Sequence, residues 1–327
     1  MSLRALLTKS QVVLPGVFNA ITAQQAVACG HPALYLSGAG LTNALTGYPD
    51  IALLTLTEFA QQARYVCRAV PGTPVIADAD TGFGDVLNVA RTVEEYEHAG
   101  LAGLHLEDQL SPKRCGHLDG KSLIEPEAMA AKIRAAVRAR TNPDFFLIAR
   151  TDARGVTGLD DAIARAKCYV DSGADAIFPE GLQSREEFEA FASALPGTYL
   201  LANMTEFGKT PMISAEEFAL LGYRLVIFPM TAFRAMLYTA REVYTTLHKT
   251  GTQQSLLGQM QTRAELYELI GYKKYTEFDN EVSTSPPSPS PGRSYLTEKG
   301  GTSSTTPLSS PAKNERPGEG GAGGGRG

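Results

Sequence analysis

Eight short, strongly apolar runs recur along the first 230 residues of the chain. They are VVLPGVF (12–18), ALYL (33–36), PVIAD (74–78), AGLHLED (102–108), FFLIAR (145–150), ADAIFPE (174–180), YLLAN (199–203) and LVIFPM (225–230). Runs of this length that are apolar almost throughout are typical of strands buried on both faces, as in parallel sheets. The pattern therefore restricts the chain to a parallel sheet covered by helices.

The segments between these runs have the periodicity of amphipathic helices. The clearest are LTEFAQQARYVCRAV, NVARTVEEYEHAG, EAMAAKIRAAVRAR, DDAIARAKCYVDSG and SREEFEAFASAL, and several end at glycine, as helices commonly do. Eight strands, each followed by a helix, predict an α/β fold of the (β/α)8 TIM-barrel type in preference to a doubly wound sheet. The length of 327 residues suits either one barrel with additions or two ordinary domains.

The end of the chain has a different composition. Gly, Ser and Pro make up more than half of residues 281–327, and large apolar side chains are almost absent. Such a segment cannot bury enough surface to offset its conformational entropy. We therefore predict a barrel domain over residues 1–280 and a disordered tail over residues 281–327.

Charge and cysteine content exclude several classes of function. A net charge of -5 and the lack of long Lys/Arg runs argue against a nucleic-acid partner. The four cysteines are dispersed without Cys-x-x-Cys spacing, which favours a reduced, cytoplasmic protein. No signal peptide and no apolar run long enough to span a membrane is evident, so no membrane partner is expected.

Polar residues stand where the predicted strands end. They are Ser37, Asp78, Asp80, Glu107, Asp108, Arg150, Asp152, Glu180, Asn203, Thr205 and, just after the eighth strand, Arg234. The active site of a TIM barrel lies at the carboxyl ends of its strands. These side chains are therefore expected to meet at one mouth.

Two acids in VIADADTGFG, Asp78 and Asp80, are two residues apart and share one strand face if the strand continues. They would repel each other unless a cation lay between them, and oxygen ligands suit Mg²⁺. Glu107 and Asp50 are candidates for water-mediated contacts to the ion. Turn and cap chemistry is the alternative interpretation of the pair.

Cys115 lies in the segment LEDQLSPKRCGHLDG beside Lys113 and Arg114. Neighbouring cations lower the pKa of a thiol, which favours a role in proton transfer or nucleophilic attack over that of a small buried hydrophobe. His105 and His117 lack the spacing of a two-histidine metal site, so core or hydrogen-bonding roles are expected for both.

Arginines recur in the second half of the chain. Arg150, Arg234 and Arg263, if they converge on one mouth, suggest a polyanionic substrate, because guanidinium groups bind carboxylates through two hydrogen bonds. Taken singly, each would read as a solvated surface cation.

Several of these stretches together resemble the isocitrate lyase and phosphoenolpyruvate mutase superfamily, and within it the 2-methylisocitrate lyase branch. The matching segments are YLSG (35–38), DADTGFG (78–84), HLEDQ (105–109), KRCGH (113–117), ARTDA (149–153), FPE (178–180), NMTEFG (203–208), FRAM (233–236) and QTRAELYELIGY (261–272). The resemblance covers residues from about 5 to 280.

The resemblance implies Mg²⁺-dependent (with Mn²⁺ as a substitute) retro-aldol cleavage of a small tricarboxylate, 2-methylisocitrate, to pyruvate and succinate in the methylcitrate cycle. It implies that Asp78 and Asp80 hold the metal, that Tyr35 is the base and that Cys115 is the acid. The substrate-binding residues that it implies are Ser37, Gly38, Ala39, Cys115, Gly116, Arg150, Glu180, Asn203, Met204, Thr205, Arg234 and Arg263. Members commonly form homotetramers in which neighbouring subunits exchange a helix.

The chain departs from the superfamily pattern in two places. Ala39 stands where glycine is usual, and low-complexity sequence is expected to replace the usual last helix from about Thr276. The second departure bears on whatever the last helix contributes to packing or assembly.

The substrate is left open between relatives on the same scaffold. Isocitrate, 2,3-dimethylmalate and oxaloacetate are the alternatives, but Phe178 stands where isocitrate lyases have a tryptophan, which leaves room for a methyl group. A phosphonate mutase is disfavoured because its loop lacks the cysteine. A non-catalytic relative is the alternative from another class, and retention of Cys115, Asp78 and Asp80 argues against it.

Overall fold

The computed structural model describes residues 1–114, 116 and 120–284, and the eight predicted strands are all present in it. They are β1 Val12–Val17, β2 Leu34–Leu36, β3 Val75–Asp78, β4 Gly103–Glu107, β5 Phe146–Thr151, β6 Ala176–Pro179, β7 Tyr199–Asn203 and β8 Leu225–Phe228. Every strand is parallel to its neighbours in the order of the sequence. β8 pairs with β1, with Val13 opposite Val226, so the sheet closes into a barrel and the predicted fold is confirmed.

The described residues form helices around this barrel. They are α1 Leu3–Leu7, α2 Ala20–Ala28, α3 Gly38–Thr46, α4 Leu56–Ala69, α5 Val86–Ala99, α6 Pro126–Ala139, α7 Leu159–Asp171, α8 Arg185–Ala194, α9 Ala215–Leu220, α10 Thr231–Thr250, α11 Arg263–Leu269 and α12 Tyr272–Thr284. The five stretches predicted from periodicity correspond to α4 through α8. The short helices were not predicted: α3, for example, begins with glycine and carries two of them.

Local sequence sets where these helices begin. Thr55 accepts a hydrogen bond from the Glu58 amide, and the Glu58 side chain accepts one from the Thr55 amide, which caps α4 reciprocally. Ser214 with Glu217 and Thr262 with Glu265 repeat this capping box at α9 and α11. At the other end of α5, Gly100 takes the left-handed conformation that few other residues adopt at low cost.

The barrel interior is plugged at the amino-terminal ends of its strands by α1. Leu3 and Leu7 are fully buried and belong to the same cluster as Val12, Phe146 and Leu225, the first residues of β1, β5 and β8. The sequence did not predict this helix, because five residues show too little periodicity. With its floor filled by apolar side chains, the barrel has polar groups at its opposite end.

The carboxyl end of the described chain is helical. α12 runs to Thr284, so the expectation that low-complexity sequence replaces a helix from about Thr276 was wrong. The chain divides into two units, Met1–Glu277 and a second that begins at Phe278, of which the structure describes the residues to Thr284. The predicted tail otherwise lies outside the described residues. None of the described helices is long and apolar enough to cross a membrane.

Candidate active site

Six of the eleven polar residues predicted to meet line one pocket at the carboxyl ends of the strands, namely Ser37, Asp78, Arg150, Glu180, Asn203 and Thr205. Its lining consists of Tyr35, Ser37, Ala39, Asp50, Asp78, Lys113, Gly116, Arg150, Phe178, Glu180, Asn203, Thr205, Ile227, Pro229 and Met230. Residues from seven strands, β2 to β8, or from the segments that follow them contribute, because parallel strands bring their carboxyl ends to one edge.

One side of the pocket is a cluster of acids held together by Lys113. Its ammonium lies 2.6 Å from Asp50 Oδ1 and 2.9 Å from Asp80 Oδ1, and its side chain is 2% exposed. Burial would lower the pKa of Lys113, but Asp80 and Asp78 outweigh it and hold that pKa well above the usual value. Lys113 was interpreted as a loop cation that tunes the thiol, whereas the structure places it between the carboxylates.

A neighbouring carboxylate, Glu107, lacks hydrogen-bond donors. Both of its oxygens are buried and accept no hydrogen bond from the described residues, whereas Asp80 Oδ1 is buried with the Lys113 ammonium 2.9 Å away. Burial, with Asp78 and Asp50 nearby, raises the pKa of Asp80 to about 7 despite Lys113. Burial likewise raises the pKa of Glu107 well above its usual value, against the charges of Arg150 and Lys113. The cluster can therefore accept further positive charge.

Tyr35 lies at the base of the pocket against His105. The Tyr35 hydroxyl is 2.8 Å from His105 Nε2, and the two rings stack with centroids 5.6 Å apart. Burial lowers the pKa of His105 to about 4, so the imidazole is neutral, and burial raises the pKa of Tyr35 well above 10.0. The hydrogen-bonding role expected for His105 is confirmed.

The opposite side of the pocket is organised by Arg150. Its guanidinium forms two hydrogen bonds with Asp152, of 2.9 and 3.1 Å, and lies 3.4 Å from Glu107 Oε2 and 3.3 Å from Glu180 Oε2. It also lies over the Phe178 ring, 5.1 Å from the centroid. These contacts fix the plane of the guanidinium, which prepares it for a carboxylate ligand.

Two glycines let the backbone approach the charged groups. A Cβ added at Gly38 would lie 2.3 Å from Asp78 Oδ2, and one at Gly116 would lie 2.4 Å from Glu180 Cγ and 2.5 Å from Arg150 Nη2. No real side chain fits at such distances. The predicted site positions Gly38 and Gly116 are thus tied to glycine by packing.

The loop that contains Cys115 is described only in part. Cys115 and His117 lie outside the described residues, and Gly116 lines the pocket. Gln109 and Lys121, which sequence reasoning did not single out, contact the described part of this loop. Their only sequence signal was their position on either side of the segment that contains the thiol.

The remaining predicted residues lie at different positions relative to the pocket. Asn203 donates to Glu180 at 3.2 Å, whereas Met204 is buried behind the pocket, where its sulfur accepts from the Ile213 amide. Arg234 is near the mouth on α10, 45% exposed, and lies 3.4 Å from Glu206.

Arg263 lies further away. It is the first residue of α11 and is exposed, and it does not line the pocket. Of the three arginines expected to converge, the structure of one chain therefore brings Arg150 to the pocket, leaves Arg234 beside it and leaves Arg263 outside.

An eight-stranded parallel barrel with acids and a fixed arginine gathered at the carboxyl ends of its strands has the architecture of a barrel enzyme. The chain matches the model of the phosphoenolpyruvate phosphomutase family over residues 3–248, and it belongs to that family. The resemblance predicted from the motifs is confirmed.

Known relatives agree with this membership. The chain is 52% identical over 282 residues to a 2-methylisocitrate lyase of Aeropyrum pernix, which covers 86% of this chain and 90% of that protein. Further proteins of that name, from Vibrio cholerae and Escherichia coli, are 41% and 45% identical.

Solved structures have the same fold. A crystal structure of 2,3-dimethylmalate lyase superposes with a TM-score of 0.81 at 39% identity and covers 86% of this chain and 94% of that one. A phosphonopyruvate hydrolase in complex with oxalate and Mg²⁺ superposes with a TM-score of 0.78 at 29% identity, covering 86% and 98%.

Proposed function

We propose that the protein is a 2-methylisocitrate lyase, which breaks one carbon–carbon bond of a branched tricarboxylate to give pyruvate and succinate. The observation that carries the proposal is a pocket with two unlike sides, the acids around Lys113 and the fixed guanidinium of Arg150. A substrate with a hydroxyl and three carboxylates needs both, because one side polarises the hydroxyl and the other holds the carboxylates. The curated relatives of that name support this choice.

The substrate carboxylates have two anchoring points in this pocket. Arg150 is one, with Asn203 and Thr205 beside it as neutral donors. The other is the start of α3, where Ser37 caps the helix and lines the pocket together with Ala39. The first amides of a helix have no partner within the helix and favour anions, so a carboxylate fits there.

The acids on the other side fit Mg²⁺, with Asp78 and Asp80 as the proposed ligands and Asp50 and Glu107 acting through water. The fit rests on the two buried Glu107 oxygens, which accept no hydrogen bond from the described residues, and on the hard carboxylate oxygens of Asp78 and Asp80. Among the residues that the structure describes, no three ligand side chains surround one point, so water would have to complete the coordination of the ion. When bound, Mg²⁺ would polarise the substrate hydroxyl and carboxylate and favour the ionised form of nearby groups, Tyr35 included. The Mg²⁺ in the phosphonopyruvate hydrolase structure supports this assignment.

Protons move at two places in the proposed reaction. The substrate hydroxyl gives its proton to the Tyr35 oxygen, and its oxygen becomes the carbonyl of pyruvate as the carbon–carbon bond breaks. The electron pair of that bond remains on the succinate carbon, which takes a proton from the Cys115 thiol. Because burial keeps Tyr35 protonated in the ligand-free site, the base role is expected only when positive charge has been added to the acids.

A homotetramer is the proposed assembly. α10, α11 and α12 expose large apolar side chains, among them Tyr238, Tyr244, Tyr267, Tyr275 and Phe278. Exposed apolar surface of this kind marks a protein interface. Arg263 is remote from the pocket of its own chain. In this assembly it would contribute to the pocket of a neighbouring copy. Light scattering coupled to size-exclusion chromatography tests this assembly, and a monomeric mass would reject it.

The choice between related substrates rests on the apolar side of the pocket. Phe178 and Ile227 line it, and no tryptophan is present in the chain, so a methyl group has apolar surface to contact. One methyl group contributes roughly 1 to 3 kcal/mol to such discrimination.

The deciding experiment is a product assay with Mg²⁺ that offers 2-methylisocitrate, isocitrate, 2,3-dimethylmalate and oxaloacetate in parallel. We expect pyruvate and succinate from the first, with the highest kcat/KM. A kcat/KM as high on any of the other three would reject the proposed substrate.

A further inference from the structure

We propose that Tyr96 and Lys132 are positioning residues that hold the two proposed metal ligands, Asp78 and Asp80, from the helix layer outside the barrel. The inference rests on the proposed function for its Mg²⁺ ion and on described hydrogen bonds for its geometry. Neither residue is among the described side chains that line the pocket. What they bind are the backbone carbonyls of Asp78 and Thr81, which lie on either side of Asp80 in the chain.

The segment that carries both acids has an unfavourable backbone conformation. Asp78 is the last residue of β3, and Asp80, two residues on, has a φ of 45° in the left-handed region that residues with a side chain seldom adopt. Such a conformation persists only where surrounding contacts determine it. From inside the fold, the Glu107 amide donates to the Asp80 carbonyl at 3.0 Å and the Asp80 amide donates to Asp78 Oδ1 at 2.9 Å. Further contacts come from the helices outside the barrel.

Tyr96 holds the start of this segment. It lies on α5 and is fully buried, and its hydroxyl donates to the Asp78 carbonyl at 2.8 Å. Burial, with Asp78 and Asp80 nearby, raises the pKa of Tyr96 well above its usual value, so the hydroxyl keeps its proton and remains a donor. Thr92, one turn earlier on α5, adds a longer contact of 3.3 Å to the Gly82 carbonyl. The end of β3 therefore cannot shift without breaking a buried hydrogen bond.

Lys132 holds the residue that follows Asp80. It lies on α6 and is buried, and its ammonium donates to the Thr81 carbonyl at 2.9 Å. Burial lowers the pKa of Lys132, although the nearby Asp85 opposes this shift. Lysines are seldom buried unless they are paired with an acid. A buried lysine whose hydrogen bond goes instead to a carbonyl beside a metal ligand indicates a role at that ligand.

The two contacts fix the backbone before and after Asp80, and with it the separation of the two carboxylates. A segment that is already ordered loses less conformational freedom when an ion binds, which favours binding. Contacts outside the ligand shell orient metal ligands in this way, and losing one typically costs roughly 10- to 100-fold in metal affinity. Binding of the substrate carboxylates depends instead on Arg150 and the start of α3, which neither Tyr96 nor Lys132 contacts.

The test uses Tyr96→Phe and Lys132→Met, which remove the two hydrogen bonds with little change of shape. Tyr223→Phe is the matched control for the first, because Tyr223 is also buried and its hydroxyl donates to the Phe188 carbonyl at 3.3 Å. Gln11→Met is the control for the second, because Gln11 Nε2 donates to the Tyr223 carbonyl at 2.9 Å. Both controls lose a side-chain donor to a backbone carbonyl, and both lie just before strands, at the end of the barrel opposite the acids.

The deciding measurement is calorimetric titration of the full-length, metal-free protein with Mg²⁺ alone, without substrate. We expect the Kd for Mg²⁺ to rise on the order of tenfold in Tyr96→Phe and in Lys132→Met, and to stay within about twofold of wild type in both controls. Urea unfolding in chelator should show some loss of stability in all four variants, which is why affinity and not stability decides. In turnover of 2-methylisocitrate, the Mg²⁺ concentration for half-maximal activity should rise with the Kd, while kcat at saturating Mg²⁺ stays close to wild type.

The outcomes separate this inference from the proposed function. A wild type that binds Mg²⁺ without cleaving the substrate would reject the function, and the Mg²⁺ affinities alone would then decide the inference. A Kd equal to that of wild type in Tyr96→Phe or in Lys132→Met overturns the role of that residue whatever the activity. An equal rise of the Kd in the matched controls overturns both roles, because it would reflect a general loss of order. A wild type that binds no Mg²⁺ also overturns them, since the acids would then hold no metal.

Discussion

Glu107, the last residue of β4, and Asp108, which follows it, are adjacent carboxylates with different surroundings. Both are fully buried. Asp108 faces the layer between strands and helices, where it accepts hydrogen bonds from Thr151 Oγ1 and Tyr169 at 2.8 Å and from the Asp152 amide at 2.9 Å. Glu107 lies beside the pocket residue Arg150, 3.4 Å from its guanidinium, and accepts no hydrogen bond from the described residues.

The comparison distinguishes a carboxylate that stabilises the fold, Asp108, from one that is available to a ligand, Glu107. A buried carboxylate whose donors are all supplied by the protein needs nothing further, and its loss leaves those donors unpaired. A buried carboxylate without donors lowers the stability of the ligand-free protein. Such a residue is retained where a bound group supplies the positive charge that the protein does not. The donors around Asp108 are therefore complete in the polypeptide alone, whereas we propose that a bound ligand supplies what Glu107 lacks.

The largest effect should come from removing the metal. With EDTA, activity should fall to background, and Mg²⁺ or Mn²⁺ should restore it, since carboxylate and water ligands suit both ions. Asp78→Asn should weaken Mg²⁺ binding measured by calorimetry on the ligand-free protein. Full turnover in chelator would show that the inner acids do not serve a metal.

The next effect concerns the Cys115 thiol. Cys115→Ser should fold, keep its substrate affinity within a few-fold, and lose roughly 10² to 10⁴ in kcat, the range for losing a general acid. Alkylation should inactivate the wild type and substrate should protect it. Because Cys29 is exposed, the alkylation is best done in a Cys29→Ser background. Near-normal turnover by Cys115→Ser would transfer the acid role to another group, with His117 the next candidate.

A pair of isosteric variants tests the comparison directly. Asp108→Asn should lower the free energy of unfolding by about 1 to 3 kcal/mol, because an amide cannot accept from all of the donors around it. Glu107→Gln should leave the stability of the metal-free protein unchanged or slightly higher, yet reduce Mg²⁺ affinity and turnover. Urea unfolding with chelator gives the first quantity and calorimetry the second. Equal destabilisation by both variants would remove the distinction between the two sides.

The pH dependence of stability provides a further test at Asp80. Burial raises its folded pKa from 3.8 to about 7, so the folded protein binds this proton more tightly than the unfolded chain does. Its contribution to stability should therefore fall as pH rises from about 4 to about 7. The unfolding free energy of the wild type minus that of Asp80→Asn, measured without metal, should decrease over that window. The exposed Asp144→Asn is the control, and a difference that rises with pH would contradict the assigned shift.

The smallest effect is expected at the end of the chain. Deletion of residues 285–327 should leave the melting temperature nearly unchanged, because Gly/Ser/Pro-rich sequence buries little apolar surface. Loss of several degrees, or a smaller assembly by light scattering, would show that this segment packs against folded protein.

The parts of the molecule predicted from sequence are those set by local pattern. The strands were found because each is a short apolar run with a polar residue at its end, and the rule that parallel strands share one edge then placed Asp78, Arg150 and Asn203 together. Lys113 could not be placed this way. Beside Arg114 it reads as a solvated loop cation, and its burial depends on Asp50, 63 residues away in the chain.

Arg263 shows a second limit of predicting a site from sequence. Its motif indicated a substrate-binding residue, but motif similarity carries no information about which chain's pocket a residue serves, and the structure places it outside its own. Glu107 and Asp108 could not be distinguished in sequence beyond their alternation along a strand. Which of them lacks donors depends on side chains from β5 and α7.

The two glycines that admit no side chain also bear on how the enzyme could be redesigned. At position 38 or 116 even a methyl group would collide with Asp78 or with Glu180 and Arg150, so libraries that vary these positions would consist mostly of misfolded or inactive clones. Phe178 and Ile227 line the same pocket with apolar side chains. Replacing them by other apolar residues changes the shape and volume of the pocket wall and little else. A search for new substrate preference should therefore randomise positions 178 and 227 and leave 38 and 116 fixed.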